Sequence, residues 1–84
     1  MKIEIVETVG KKVSNILIGN AFEALKASGL NGKVVIVKDI QTALKYGIKA
    51  TPAIVMNGVV MFVGTYPSCD EILRMIQRSF PTVS

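Results

Sequence analysis

Apolar and polar residues alternate through Ile3-Glu4-Ile5-Val6, and the β-branched side chains in that run suit a pleated surface, so the pattern predicts a strand ending before the loop Glu7-Thr8-Val9-Gly10. From about Lys12 to Ser28 the period changes. Val13, Leu17, Ala21, Ala24, Leu25 and Ser28 recur at spacings of three and four, and Ile16, Ile18 and Phe22 widen the stripe. A helix apolar over so much of its circumference should be covered on two sides, by a sheet and by a second helix or a partner chain. Gly29 is placed to terminate it. Lys33 to Lys38 encloses four consecutive apolar residues, which predicts a strand buried on both faces in a parallel arrangement. Asp39 then opens a short helix with apolar positions Ile40, Ala43 and Leu44, ended by Gly47.

After Ile48-Lys49-Ala50 and the Thr51-Pro52 step come two more apolar runs, Ala53 to Met56 and Val59 to Val63, flanking Asn57-Gly58. Asn-Gly between apolar runs predicts a tight hairpin, because both turn positions want positive φ. Ser68 and Glu71 have the spacing of a capping box behind Pro67, so a last helix starts there. Ile72, Leu73, Met75, Ile76 and Phe80 form its apolar face, Arg74 and Arg78 sit late, where positive charge suits the helix dipole, and Pro81 stops it. The predicted order is βαβαββα, an α/β chain with a four-stranded mixed sheet and helices on both faces, read as one domain over residues 1–84. Right-handed crossovers leave few topologies for it.

Composition narrows the function classes. At 84 residues the chain needs a core dense in apolar side chains, and half its residues are hydrophobic. No apolar run reaches the roughly 18 residues of a membrane span, and Met1 to Ile5 alternates rather than forming a signal segment, so a cytoplasmic location is expected. There is no histidine and a single cysteine, Cys69, which excludes Ser/His catalysis, His-ligated metal and multi-cysteine zinc. A lone thiol fits a reducing compartment. The methionines and aromatics, among them Met56, Met61, Phe62, Tyr46 and Tyr66, read as core or rim residues, and neither a metal nor a cofactor is expected. Net charge is +4, yet only Lys11 and Lys12 are adjacent among ten Lys and Arg, so solvated surface is preferred over a nucleic-acid stripe.

The element order, with Thr51-Pro52 at the start of the third strand and Gly64 at the end of the fourth, resembles the thioredoxin fold. At this length the chain looks like the small prokaryotic thioredoxin-like proteins called redox-active disulfide proteins, over about residues 2 to 80. In that family a Gly-Cys-x-x-Cys motif follows the first strand. Matching at Gly10 and Asn20-Ala21 puts Lys11 and Ser14 at the two cysteine positions, so the resemblance implies the scaffold of a dithiol enzyme with its CxxC pair replaced. It also implies that Pro52, in a usually cis bond after Thr51, borders a substrate edge where the Ala50-Thr51 backbone pairs with an extended peptide.

Thiol–disulfide exchange needs an attacking thiolate and a resolving thiol. The first expectation is therefore a non-catalytic module that binds a protein or peptide, acidic if the lysines take part, through Gly10, Lys11, Lys12, Ser14, Ala50, Thr51, Pro52 and Gly64. Lys11, Lys12 and Ser14 with free N–H groups could hold an anion; the plainer reading, that both lysines point into water, is preferred. The alternative is a thiol–disulfide oxidoreductase acting through Cys69 or a partner's cysteines. Cys69, early in the last helix behind the Ser68 cap, is a candidate reactive thiol, and an inert small residue is the preferred reading. A third and weaker reading is a nucleic-acid or small-anion binder. Ile16, Ile18, Met61 and Phe62 are expected to be exposed, which predicts a homodimer or larger assembly.

Overall fold

The computed structural model describes residues 1–8 and 15–80. Its strands β1 (Lys2–Val6), β2 (Lys33–Val37), β3 (Ala53–Met56) and β4 (Val59–Val63) form one sheet in the order β2-β1-β3-β4. β1 pairs parallel with β2, Lys2 opposite Lys33 through Val6 opposite Val37, and antiparallel with β3, Ile3 opposite Met56 through Val6 opposite Ala53. β3 and β4 are antiparallel. Between them Asn57 and Gly58 take φ values of 49° and 83°, as a two-residue hairpin of this kind requires. Asn57 also ties the hairpin to β1: its side-chain oxygen accepts from Lys2 N–H at 2.8 Å and its N–H donates to Lys2 C=O at 2.9 Å.

Side chains alternate across this sheet, so each strand contributes to two layers. On one face Ile3, Ile5, Ile54 and Met56 meet helix α1 (Asn15–Ser28) through Leu17, Ala21, Ala24 and Leu25, and helix α3 (Cys69–Ser79) through Ile72 and Ile76. On the other, Val6, Ala53 and Val55 meet helix α2 (Ile40–Lys45) and its flank through Ala43, Tyr46 and Ile48. Helices thus cover both faces of a mixed sheet. α3 begins with the capping box: Ser68 Oγ accepts from Glu71 N–H and the Glu71 carboxylate accepts from Ser68 N–H, each at 3.1 Å. The expected start of α1 at Lys12 and the stop at Pro81 fall outside the described residues.

Four expectations about burial change. β2 is not buried but only partly covered: it is an edge strand paired only with β1, Val34 and Val37 are half-buried against the cores on opposite faces, and Ile36 is 43 % exposed. The apolar run recorded side chains that want cover without recording how many neighbours the strand has. Of the residues expected to be exposed, Ile16 is, at 76 %, but Ile18, Met61 and Phe62 are half-buried against the larger core. Ile18 lies two turns before buried Leu25 and shares its side of α1. Met61 and Phe62 escape exposure through a bulge: Ile54 opposes Phe62 while Val55 opposes Val60, so one extra residue enters β4 and both side chains reach the same core. In α2 only Ala43 of the three apolar positions packs inward; Ile40 and Leu44 are exposed, because a six-residue helix touches the sheet along a single line.

The α2 layer also contains a carboxylate. Glu4 sits mid-strand in β1, buried, and accepts a 3.0 Å hydrogen bond from the Tyr46 hydroxyl. That bond, with some burial and the negative charge of Glu4, raises the Tyr46 pKa above its ordinary 10.0. A raised tyrosine pKa means the protonated phenol is favoured by folding, so its contribution is fully present below the unfolded value and is lost as pH climbs through the folded one. Tyr46→Phe is therefore expected to be less stable than the parent at pH 7, with the gap closing above pH 10. Urea unfolding of both proteins across that range checks it; a gap independent of pH would mean the bond does not form.

Candidate functional site

The ends of three strands converge where the chain enters β3. Thr51–Pro52 is cis, Pro52 is buried, Thr51 half-buried and Ala50 exposed. Two contacts clamp this loop. From the segment just after β1, Thr8 Oγ1 shares a 2.7 Å hydrogen bond with Thr51 Oγ1. From β4, Gly64 N–H donates to Pro52 C=O at 2.8 Å. β4 reaches this end because Val63 pairs with Ala53. Gly64 sits at φ 70°, and a Cβ there would come 3.1 Å from that of Ala50, so both conformation and space ask for glycine. Among the described residues, neither the N–H nor the C=O of Ala50 or Thr51 has a backbone partner.

Of the remaining sequence candidates, Gly10, Lys11, Lys12 and Ser14 lie outside the described residues. Cys69 is the first residue of α3, behind the Ser68 cap, and its half-buried side chain packs against the core between the sheet, α1 and α3. The preceding Pro67 is buried, and its C=O accepts from Asn20 Nδ2 of α1 at 3.2 Å, which fixes the entry to α3 against α1. No second cysteine exists in the chain to pair with it. Among the described residues no three His, Cys, Asp or Glu side chains cluster as metal ligands, and no helix is long and apolar enough to cross a membrane.

The opposite face of the sheet holds something not foreseen from the sequence. Between α2 and the Thr51 loop, beyond the carboxyl ends of the parallel strands β1 and β2, lies a cavity of about 290 Å³. Its walls include Glu7, Thr8, Lys38, Ile40, Ile48 and Lys49. Glu7 is only 6 % exposed; its N–H donates to Val37 C=O at 2.8 Å, extending the β1–β2 ladder, and one carboxylate oxygen accepts from Thr8 N–H at 2.8 Å. A usable signal was present. Crevices in open α/β sheets form beyond the carboxyl ends of parallel strands, and Glu7 and Lys38 are the first residues after β1 and β2.

A family model described as Thioredoxin domain matches residues 1–77. The chain is 48 % identical over 44 residues to a protein named Probable Thioredoxin from Methanothermobacter thermautotrophicus, a stretch covering 52 % of this chain and 51 % of that protein. It is 46 % identical over 44 residues, with the same coverage, to a protein of the same name from Methanothermobacter marburgensis. The chain spans about half the length of the curated relatives it matches. With the four-stranded mixed sheet, the helices on both its faces and the Thr51–Pro52 loop already in place, the match over residues 1–77 establishes that this chain belongs to the thioredoxin domain family.

Proposed function

We propose that this thioredoxin-domain protein docks an extended protein or peptide segment along Ala50-Thr51 without thiol–disulfide chemistry of its own. One observation carries the reading: the loop is clamped by Thr8 and Gly64, yet among the described residues the Ala50 and Thr51 backbone groups have no partners, so a peptide strand can add there. Internal dithiol chemistry lacks its reagent. Cys69 is the chain's single cysteine and lies in α3, so whichever residues of the Gly10-to-Ser14 segment stand at the dithiol positions, they are not thiols. Lys11 and Lys12 in that segment favour a partner with acidic side chains nearby.

A second reading is an oxidoreductase of thioredoxin type acting through Cys69 or a partner's cysteines, and the name Probable Thioredoxin borne by two relatives speaks for the type alone. Peptides selected from a random library on the full chain test the first. They are expected to shift the amide resonances of Ala50, Thr51 and Gly64, and to lose about tenfold in affinity when their central amides are N-methylated, because each lost donor forfeits a backbone hydrogen bond. Peptides that perturb only other residues, or that bind equally well N-methylated, would overturn docking by strand addition.

A further inference from the structure

Helix α1 carries a glycine that nothing described inside the molecule asks for. Gly19 lies within Asn15–Ser28 without a positive φ, and among the described residues no atom comes within 4 Å of a Cβ built on it. Neither backbone conformation nor crowding accounts for it, although glycine is the poorest helix-interior residue after proline. At about 100° per residue, the buried side chains Leu17, Ala21, Ala24 and Leu25 mark the inner side of α1, and Gly19 falls opposite them, exposed. Ile16 and Phe22, three residues to either side, continue the same ridge and are 76 % and 54 % exposed. The ridge thus presents two large apolar side chains to solvent with a notch between them. Asn20, next to Gly19, donates from Nδ2 to Pro67 C=O at 3.2 Å, which sets the Tyr66-Pro67 segment, with Tyr66 exposed, at its flank.

We infer that this ridge is an interface and that its occupant is a second copy of this chain. Apolar residues stand at equal distances before and after Gly19, so an antiparallel α1 related by a two-fold axis through that glycine matches it. Ile16 then meets the partner's Phe22, and Phe22 the partner's Ile16. The missing side chain at the crossing point lets the two helix backbones approach closely, which supplies the reason for glycine that the monomer lacks. Charge agrees with this placement. The chain carries a net +4, so two copies repel over much of their surface, whereas Asn15, Ile16, Gly19 and Phe22 form an uncharged stretch bounded by Glu23 and Lys26. The area sets the strength. A standard stable interface uses about 20–30 residues a side, and this ridge with its flanks offers fewer, so the dimer is a weak one of high-micromolar affinity. This inference does not depend on strand addition at Ala50-Thr51.

Sedimentation equilibrium of the full chain from about 10 μM to about 1 mM reads the association, and the parent is expected to pass from monomer to dimer across that range. Phe22→Ser and Gly19→Gln are each expected to weaken the dimer at least about tenfold, the first by removing an apolar contact and the second by filling the crossing point. Gly19→Gln carries a second signature of opposite sign. Measured where the chain is monomeric, its thermal midpoint should rise by roughly 2–5 °C, because a good helix former replaces glycine at an exposed site. In dimers mixed from labelled and unlabelled copies, NMR should show contacts between the Phe22 ring and Ile16 methyl groups across the interface; within one helix about 9 Å of rise separates the two residues. A parent that stays monomeric at the highest concentration would overturn the proposal. So would a dimer that both variants leave intact, which would put the interface elsewhere, or a lower midpoint in Gly19→Gln, which would give the glycine a role inside the monomer.

Discussion

Ile54→Ala is expected to remove about 2–5 kcal/mol of folding stability, the range for truncating a large buried aliphatic side chain in a core that cannot fully close over the space. Ile54 is fully buried at an interior position of the sheet, opposite Ile5 on one side and Phe62 on the other, in the core shared with α1 and α3. An ordinary domain of 84 residues has roughly 4–13 kcal/mol in total, at 0.05–0.15 kcal/mol per residue, so this one change spends much of the margin. Ile40→Ala removes the same atoms from a side chain that is 68 % exposed and is expected to stay within about 0.5 kcal/mol of the parent. Urea unfolding of the two variants measures the contrast. Equal losses at both positions would mean that the layer assignment is wrong.

Gly64→Val is expected to combine a stability loss of about 1–3 kcal/mol with loss of peptide docking. A β-branched residue is poorly suited to φ 70°, and the new side chain would press on Ala50, whose Cβ already lies 3.1 Å from the first added atom. Relief requires Gly64 or the Ala50-Thr51 loop to move, and either motion loosens the 2.8 Å bond from Gly64 N–H to Pro52 C=O. The proposed docking edge would then lose the backbone geometry of Ala50-Thr51 that the Gly64 clamp holds. Thermal unfolding gives the stability change, about 4–8 °C per kcal/mol for a domain of this size, and titration with a selected peptide gives the binding. A variant that unfolds earlier yet binds as well as the parent would separate the clamp from the docking edge.

Much of this architecture was legible from local chemistry. The Ser68–Glu71 capping box, the Asn57-Gly58 hairpin and the Asp39 cap of α2 are each specified by side chains within a few residues of the backbone groups they satisfy, and each forms as its spacing implies. Burial was less legible where it depends on neighbours distant in the chain. Val34 to Val37 is as apolar as a central strand, but its edge position follows from where β3 chooses to pair, which nothing inside the run encodes. Met61 and Phe62 are consecutive and so should face opposite sides, until the bulge against Ile54 turns both inward.

The candidate site divides the same way. Thr51, Pro52 and Gly64 stand out in the sequence through their resemblance to the thioredoxin fold, which implies a peptide-binding edge at a cis-proline. Glu7, Lys38 and Lys49 carry no such signal, since a charged residue near a strand end is ordinary until the fold brings it to the rim of a cavity. Gly10, Lys11, Lys12 and Ser14 lie outside the described residues, and the part assigned to them comes from the sequence.

Disulfide reduction by the purified chain separates docking from redox chemistry most directly. Insulin reduction by dithiothreitol, followed by turbidity with the parent protein and with Cys69→Ser, is expected to proceed at the rate of dithiothreitol alone in both cases, because the one thiol is half-buried and the chain has no second cysteine to resolve a mixed disulfide within the protein. Turnover above that background in the parent, abolished by Cys69→Ser, would contradict the thiol-free reading and make Cys69 the reactive centre of an oxidoreductase.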